Sequence, residues 1–120
     1  MKHTFKSPVG TSFHDSVINT TVNKLIKVLG KPQCDSNDGR DKINFEWNME
    51  LADGNVFTVY DYKEGKQLHP NGRVEWHIGG HSRFDTHLAK QLLSTALQQA
   101  KDELDHQMNF KRAYVRLGNY

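Results

Sequence analysis

Hydrophobic and polar positions alternate most clearly between Lys42 and Leu51. Ile43, Phe45, Trp47, Met49 and Leu51 lie on one parity, and Lys42, Asn44, Glu46, Asn48 and Glu50 on the other. A period of two is the mark of a strand with one buried and one wet face. Ala52-Asp53-Gly54-Asn55 follows, a hairpin signal between such runs, and Val56 to Tyr62 reads as the returning strand. A four-residue loop pairs Leu51 with Val56, Met49 with Thr58 and Trp47 with Tyr60. In that register Val56, Thr58, Tyr60 and Tyr62 face the core, and Phe57, Val59 and Asp61 face outward beside Glu46.

Other segments carry a helical period. Ile18, Val22, Leu25, Ile26 and Leu29 recur at spacings of three and four after Ser12, a good N-cap, and before Gly30 and Pro32. They predict a helix over 13–29. Phe84, Leu88, Leu92, Leu93, Ala96, Leu97, Ala100 and Leu104 form the apolar stripe of a second, longer helix capped by Ser82 or Asp85. Between the hairpin and that helix lie a polar connection, 63–72, and a third strand, Arg73 to Ile78, ended by Gly79-Gly80. Residues 1–11 read as an arm or edge strand, and 108–120 as a tail or fourth strand. The expected fold is α+β, in the order α-β-β-β-α, with a small antiparallel sheet carrying both helices on one face.

The chain has 120 residues, 36% hydrophobic and 25% charged, which suits one globular domain. A net charge of +2 is too weak to imply nucleic-acid binding by itself. Phe110 and Tyr114 interleaved with Lys111, Arg112 and Arg116 leave that option open without favouring it. A single cysteine, Cys34, allows no intrachain disulfide and fits a reducing cytoplasm. No apolar run approaches the roughly 20 residues of a membrane helix, and the first ten residues lack a signal-peptide core. Phe57 and Val59 on the helix-free face, with a second helix longer than the sheet is wide, predict a homo-oligomer.

The chemistry concentrates in Trp76-His77-Ile78-Gly79-Gly80-His81-Ser82-Arg83. A strand leading through glycines into a helix start is a natural anion site, because the first helical N–H groups lack intrahelical partners. His77, His81, Ser82 and Arg83 would contact phosphate, and Trp76, Tyr60 or Tyr62 would stack on a base. Lys63, Arg112 and Arg116 would add charge from a loop or a second subunit. The segment matches neither a Walker A loop nor a dinucleotide-binding fingerprint, and no cofactor or metal is expected. Glu46, Asp61 and His77 are weighed as an acid–base or cation-binding set, with an ordinary polar surface the commoner meaning of such a pattern.

Tyr60-Asp61-Tyr62-Lys63-Glu64 followed by Glu75-Trp76-His77-Ile78-Gly79-Gly80 resembles a pattern in small proteins of bacteriophages and large DNA viruses. There a Tyr-Asp-Trp-Lys-Glu stretch precedes a Trp-His-Ile-Gly-Gly stretch, and Tyr62 stands where that pattern has Trp. The resemblance spans about Leu29 to Leu93 and implies a viral origin, but carries no activity and no catalytic residue. Small phage proteins often counter host defence, some by sequestering nucleotide signals. The leading expectation is therefore a non-catalytic protein that binds a small anionic, nucleotide-like ligand. The alternatives are a protein-binding inhibitor or assembly component acting through Phe57 and Val59, and a phosphodiesterase using His77 and His81.

Overall fold

A computed structural model of the chain describes the backbone of residues 1–118 and the side chains of residues 1–101. The alternating segment forms β3 (Glu46–Glu50), and its partner forms β4 (Val56–Tyr60). Three more strands, β1 (Lys2–His3), β2 (Ser12–Thr21) and β5 (Arg73–Gly80), complete an antiparallel sheet in the order β1-β3-β4-β5-β2. Two helices, α1 (Val22–Leu29) and α2 (Arg83–Gly118), pack on one face of it. The α+β class and the placement of the helices stand, but the sheet has five strands rather than three.

The first correction concerns residues 12–21, which are strand and not the front of a helix over 13–29. Val17, Ile18, Thr20 and Thr21 are β-branched or flank such residues, and their stiff side chains favour a pleated surface. The helix starts only after Thr21, whose hydroxyl accepts the Lys24 amide at 3.1 Å. Ile18 and Val22 are four apart, a spacing that here straddles a strand and a helix turn.

The second correction concerns the hairpin register. Glu50 pairs with Val56, Met49 with Phe57, Trp47 with Val59 and Glu46 with Tyr60. The Leu51 amide donates to the Asn55 carbonyl at 2.9 Å and the Gly54 amide to the Leu51 carbonyl at 2.9 Å. Gly54 takes φ +87°, open mainly to glycine. The loop thus holds Leu51 to Asn55, one residue more than expected, and a slip of one residue turns every β4 side chain over. Phe57 and Val59 are fully buried, at 0% exposure each, while Thr58 and Tyr60 face away from the helices. Burying an apolar side chain of this size contributes about 1.5–3 kcal/mol, which favours this register over the reverse.

The core lies between sheet and helices, around Trp47 and Trp76 with their rings edge to face at 5.6 Å. Each indole N–H finds a backbone carbonyl, Trp47 on Gly30 and Trp76 on Thr20. Leu25 and Leu29 from α1 and Ala89 and Leu93 from α2 close it. Gly79 and Gly80 end β5 inside the sheet rather than breaking it, paired with Thr58 and Phe57 of β4 and with Phe13 and Ser12 of β2. A Cβ on Gly79 would meet Thr58 Oγ1 at 2.7 Å, and one on Gly80 would meet Thr86 Oγ1 at 2.6 Å. The glycines are there because a strand and a helix approach their backbone closely. The segment 108–118, expected as a tail or strand, belongs to α2. No helix among the described residues is long and apolar enough to cross a membrane.

Candidate functional site

The helix-free face of the sheet collects the outward residues of three neighbouring strands. Glu46 on β3 pairs with Tyr60 on β4, and Tyr60 pairs with His77 on β5, so a carboxylate, a phenol and an imidazole stand in a row. Tyr62, two residues beyond Tyr60, returns to the same side, its ring edge-on to Tyr60 at 6.5 Å and 5.4 Å from His77. Phe13 of β2 lies flat on His77 at 4.0 Å. The stretches Tyr60–Glu64 and Glu75–Gly80 therefore meet side by side at Tyr60 and His77.

Above this row the N-terminal arm leaves a trough of about 340 Å³. Thr58 and Gly79 line its sheet side, Glu46, Ile43, Tyr60 and Tyr62 stand on the hairpin side, and Pro8, Val9, Thr11 and Phe13 on the arm side. The volume lies near the lower bound for small-molecule sites. A wider hollow of about 570 Å³ at the hairpin end is bordered by Glu50, but that carboxylate is already engaged. Lys6 lies 2.9 Å and Lys2 3.3 Å from it, and Thr4 donates to it at 3.1 Å. The Lys6 hydrogen bond leads these contacts in holding the Glu50 pKa down to about 2. The same contacts, with Lys6 bonded to the Gly54 carbonyl, hold down the arm that walls the trough.

Glu46 differs from the other enclosed acids. Asp61, fully buried, accepts from the Asn44 amide, the Asn44 side chain and the Phe45 amide at 2.8–3.1 Å. Asp85 accepts from Asn55 at 3.0 Å. The Glu46 carboxylate has no hydrogen bond or ion pair among the described residues, although its backbone is bridged to Cys34. Burial pushes its pKa above the ordinary carboxylate value, and burial also raises Tyr60, helped by the charges of Tyr62 and Glu46. An unpaired carboxylate walled by rings invites a partner carrying N–H donors.

The glycine corner is built differently from the expectation. Gly79 and Gly80 are committed to β-pairing on both sides and form no open cradle. Ser82 caps α2, its hydroxyl accepting the Asp85 amide at 3.0 Å and its carbonyl the Thr86 amide at 3.0 Å. Asp85 places a carboxylate of the chain itself in the first helical turn, where the dipole favours negative charge. The two glycines of the expected cradle at residues 79–83 are therefore sheet residues, and Ser82 serves as the cap of the helix. His81 is exposed against Gly10 of the arm, and Arg83 is exposed at the helix start.

Trp76 is likewise removed from any ligand. It is fully enclosed, because β5 turns Val74, Trp76 and Ile78 toward the helices. Of the expected residues, the fold brings together Tyr60, Tyr62 and His77, with Lys63 holding its ammonium 5.2 Å from the Tyr62 ring. The side chains of Arg112 and Arg116 lie outside the described residues. Phe57 and Val59, the expected interface, are core residues, so the protein-binding face built on them does not exist. Asp61 is enclosed and does not join Glu46 and His77, and no three His, Cys, Asp or Glu residues among those described converge as metal ligands. Sequence reasoning missed Phe13, hidden in a supposed helix, and undervalued Glu46, whose partner across the hairpin depended on the register. No protein-family model and no curated protein sequence matches the chain.

Proposed function

We propose that this chain is a non-catalytic binding protein that holds a small nucleotide-like ligand by its base. The base lies in the trough on the helix-free face, against Tyr62 and Tyr60 on one side and the Pro8–Phe13 segment on the other. The observation that supports this reading is the partly buried, unpartnered Glu46 carboxylate among aromatic and aliphatic walls. Rings supply stacking area at low conformational cost, and a desolvated carboxylate rewards a ligand that offers N–H donors. Lys63, whose ammonium lies 5.2 Å from the Tyr62 ring, supplies positive charge for the anionic part. The resemblance to viral proteins adds host signalling nucleotides to the candidate ligands.

Calorimetric titration with linear and cyclic mononucleotides tests the reading. Binding is expected with at least one of them, weakened about tenfold or more by Tyr62→Ala, since stacking contributes about 1–3 kcal/mol per base. Absence of heat with the whole series would remove the proposal. Self-association now rests on α2 alone. At 36 residues it extends about 54 Å, beyond a five-stranded sheet about 20 Å across. Native mass spectrometry of the purified chain reports the subunit number and any retained small molecule together.

A further inference from the structure

The ligand class can be narrowed, on the reading that the trough holds a base. We infer that Glu46 makes the trough selective for heterocycles with two adjacent N–H donors, the pattern on the Watson–Crick edge of guanine, over a donor beside an acceptor, as in adenine.

The argument begins with the other enclosed acids. Asp61, Glu50 and Asp85 each have donors supplied by the chain. Glu46 alone among them has none, and it lines an open trough rather than a closed core. A carboxylate is an acceptor with two oxygens in one plane and receives two parallel N–H bonds best. The Watson–Crick edge of guanine presents two such donors, N1–H and the 2-amino group. Adenine presents one donor, and its N1 lone pair would face the second carboxylate oxygen. A site built to accept hydrogen bonds rejects a ligand that leaves its acceptor unpaired. Ile43, Val9 and Phe13 of the lining are apolar, and none of the lining hydroxyls of Thr11, Ser12, Thr58, Tyr60 and Tyr62 is hydrogen-bonded to Glu46. Tyr60 and Tyr62 instead provide ring surface, and Tyr62 is 40% exposed.

The test is a set of titrations with GMP, IMP and AMP on the full chain, repeated with Glu46→Gln. The wild type is expected to bind GMP at least tenfold tighter than AMP, with IMP, which lacks the 2-amino group, between them. An amide both donates and accepts, matching the adenine edge. Glu46→Gln is therefore expected to lose GMP affinity tenfold or more and to gain affinity for AMP. That exchange of preference is something a purely structural role for Glu46 would not produce. AMP binding as tightly as GMP to the wild type would overturn the inference while leaving base binding in place. Methylguanidinium binding more tightly than GMP would overturn it as well, by showing that the carboxylate serves a cationic fork. No binding of any mononucleotide would overturn the underlying reading along with it. The wild-type comparison alone decides the matter if the variant fails to fold.

Discussion

Glu46 sits partly buried with no counter-charge among the described residues, so its effect on stability has a definite sign. Burial raises its pKa above 4.5, and the folded chain therefore holds the proton more tightly than the unfolded one. Below about pH 4.5 both states are protonated and the residue has no effect, whereas above it the charged form destabilises the fold. Glu46→Gln is accordingly expected to raise the melting temperature at pH 7, by no more than about 4 °C because the side chain keeps contact with water. The gain should disappear below pH 4.5, and thermal melts across pH 3–8 would show whether it does. Functional residues commonly carry such a stability cost. Asp61 should behave oppositely, because it organises the loop that ends at Asn44. Asp61→Ala strands two backbone amides and a side-chain amide, and is expected to cost about 3 kcal/mol or more in urea unfolding.

Among the elements, β5 meets β4 and α2 through glycine. Adding a methyl group at Gly79 forces Thr58 to move, and Gly79→Ala is expected to destabilise by about 1–3 kcal/mol. Thr58→Ala in the same chain should recover part of that loss, a coupling that a double-mutant cycle would measure and that additive losses would refute. The same elements show what the amino-acid pattern reveals and hides. The strand through Trp47 and Met49, the caps at Ser82 and Gly30, and the Leu88, Leu93 and Leu97 part of the α2 stripe are legible, because each depends on a local period or on local hydrogen bonds, whereas Phe84 and Leu92 of that stripe are exposed. The register of β4 is not, because one hydrogen bond from Leu51 to Asn55 decides the parity of every residue after it. Nor is β2, because Ile18 and Val22 satisfy a helical spacing, and only the distant partners on β5 make the strand worth forming. The trough inherits both errors, since it needs Tyr60 and Phe13 on the same face.

For the molecule as a whole, the N-terminal arm joins the edge of the sheet to the site. Lys2, Lys6 and Thr4 converge on Glu50, and the chain then passes through Pro8 and Val9 along the trough before entering β2. The Glu50 pKa is lowered from 4.5 to about 2. Its contribution is fully present above pH 4.5 and is lost as pH falls toward 2. The protection factor of the Thr4 amide, which donates to the Asn48 carbonyl, is expected to fall across that interval, well before those of the β4 and β5 amides do. Glu50→Gln should reproduce the loosened arm at neutral pH and weaken ligand binding several-fold without changing which base is preferred. If exchange at the arm were unaffected in that variant, the clasp would have no mechanical role.

Both indoles of the chain lie in the core, shielded from solvent and hydrogen-bonded to backbone carbonyls, and neither borders the trough. Tryptophan emission should therefore be blue-shifted in the native protein and move to the red only when the sheet and helices separate. Tyr60 and Tyr62, at the opposite surface, are the chromophores that a bound ring would perturb. On the proposed function the protein thus carries two spectroscopic channels, one reporting whether it is folded and the other whether the trough is occupied.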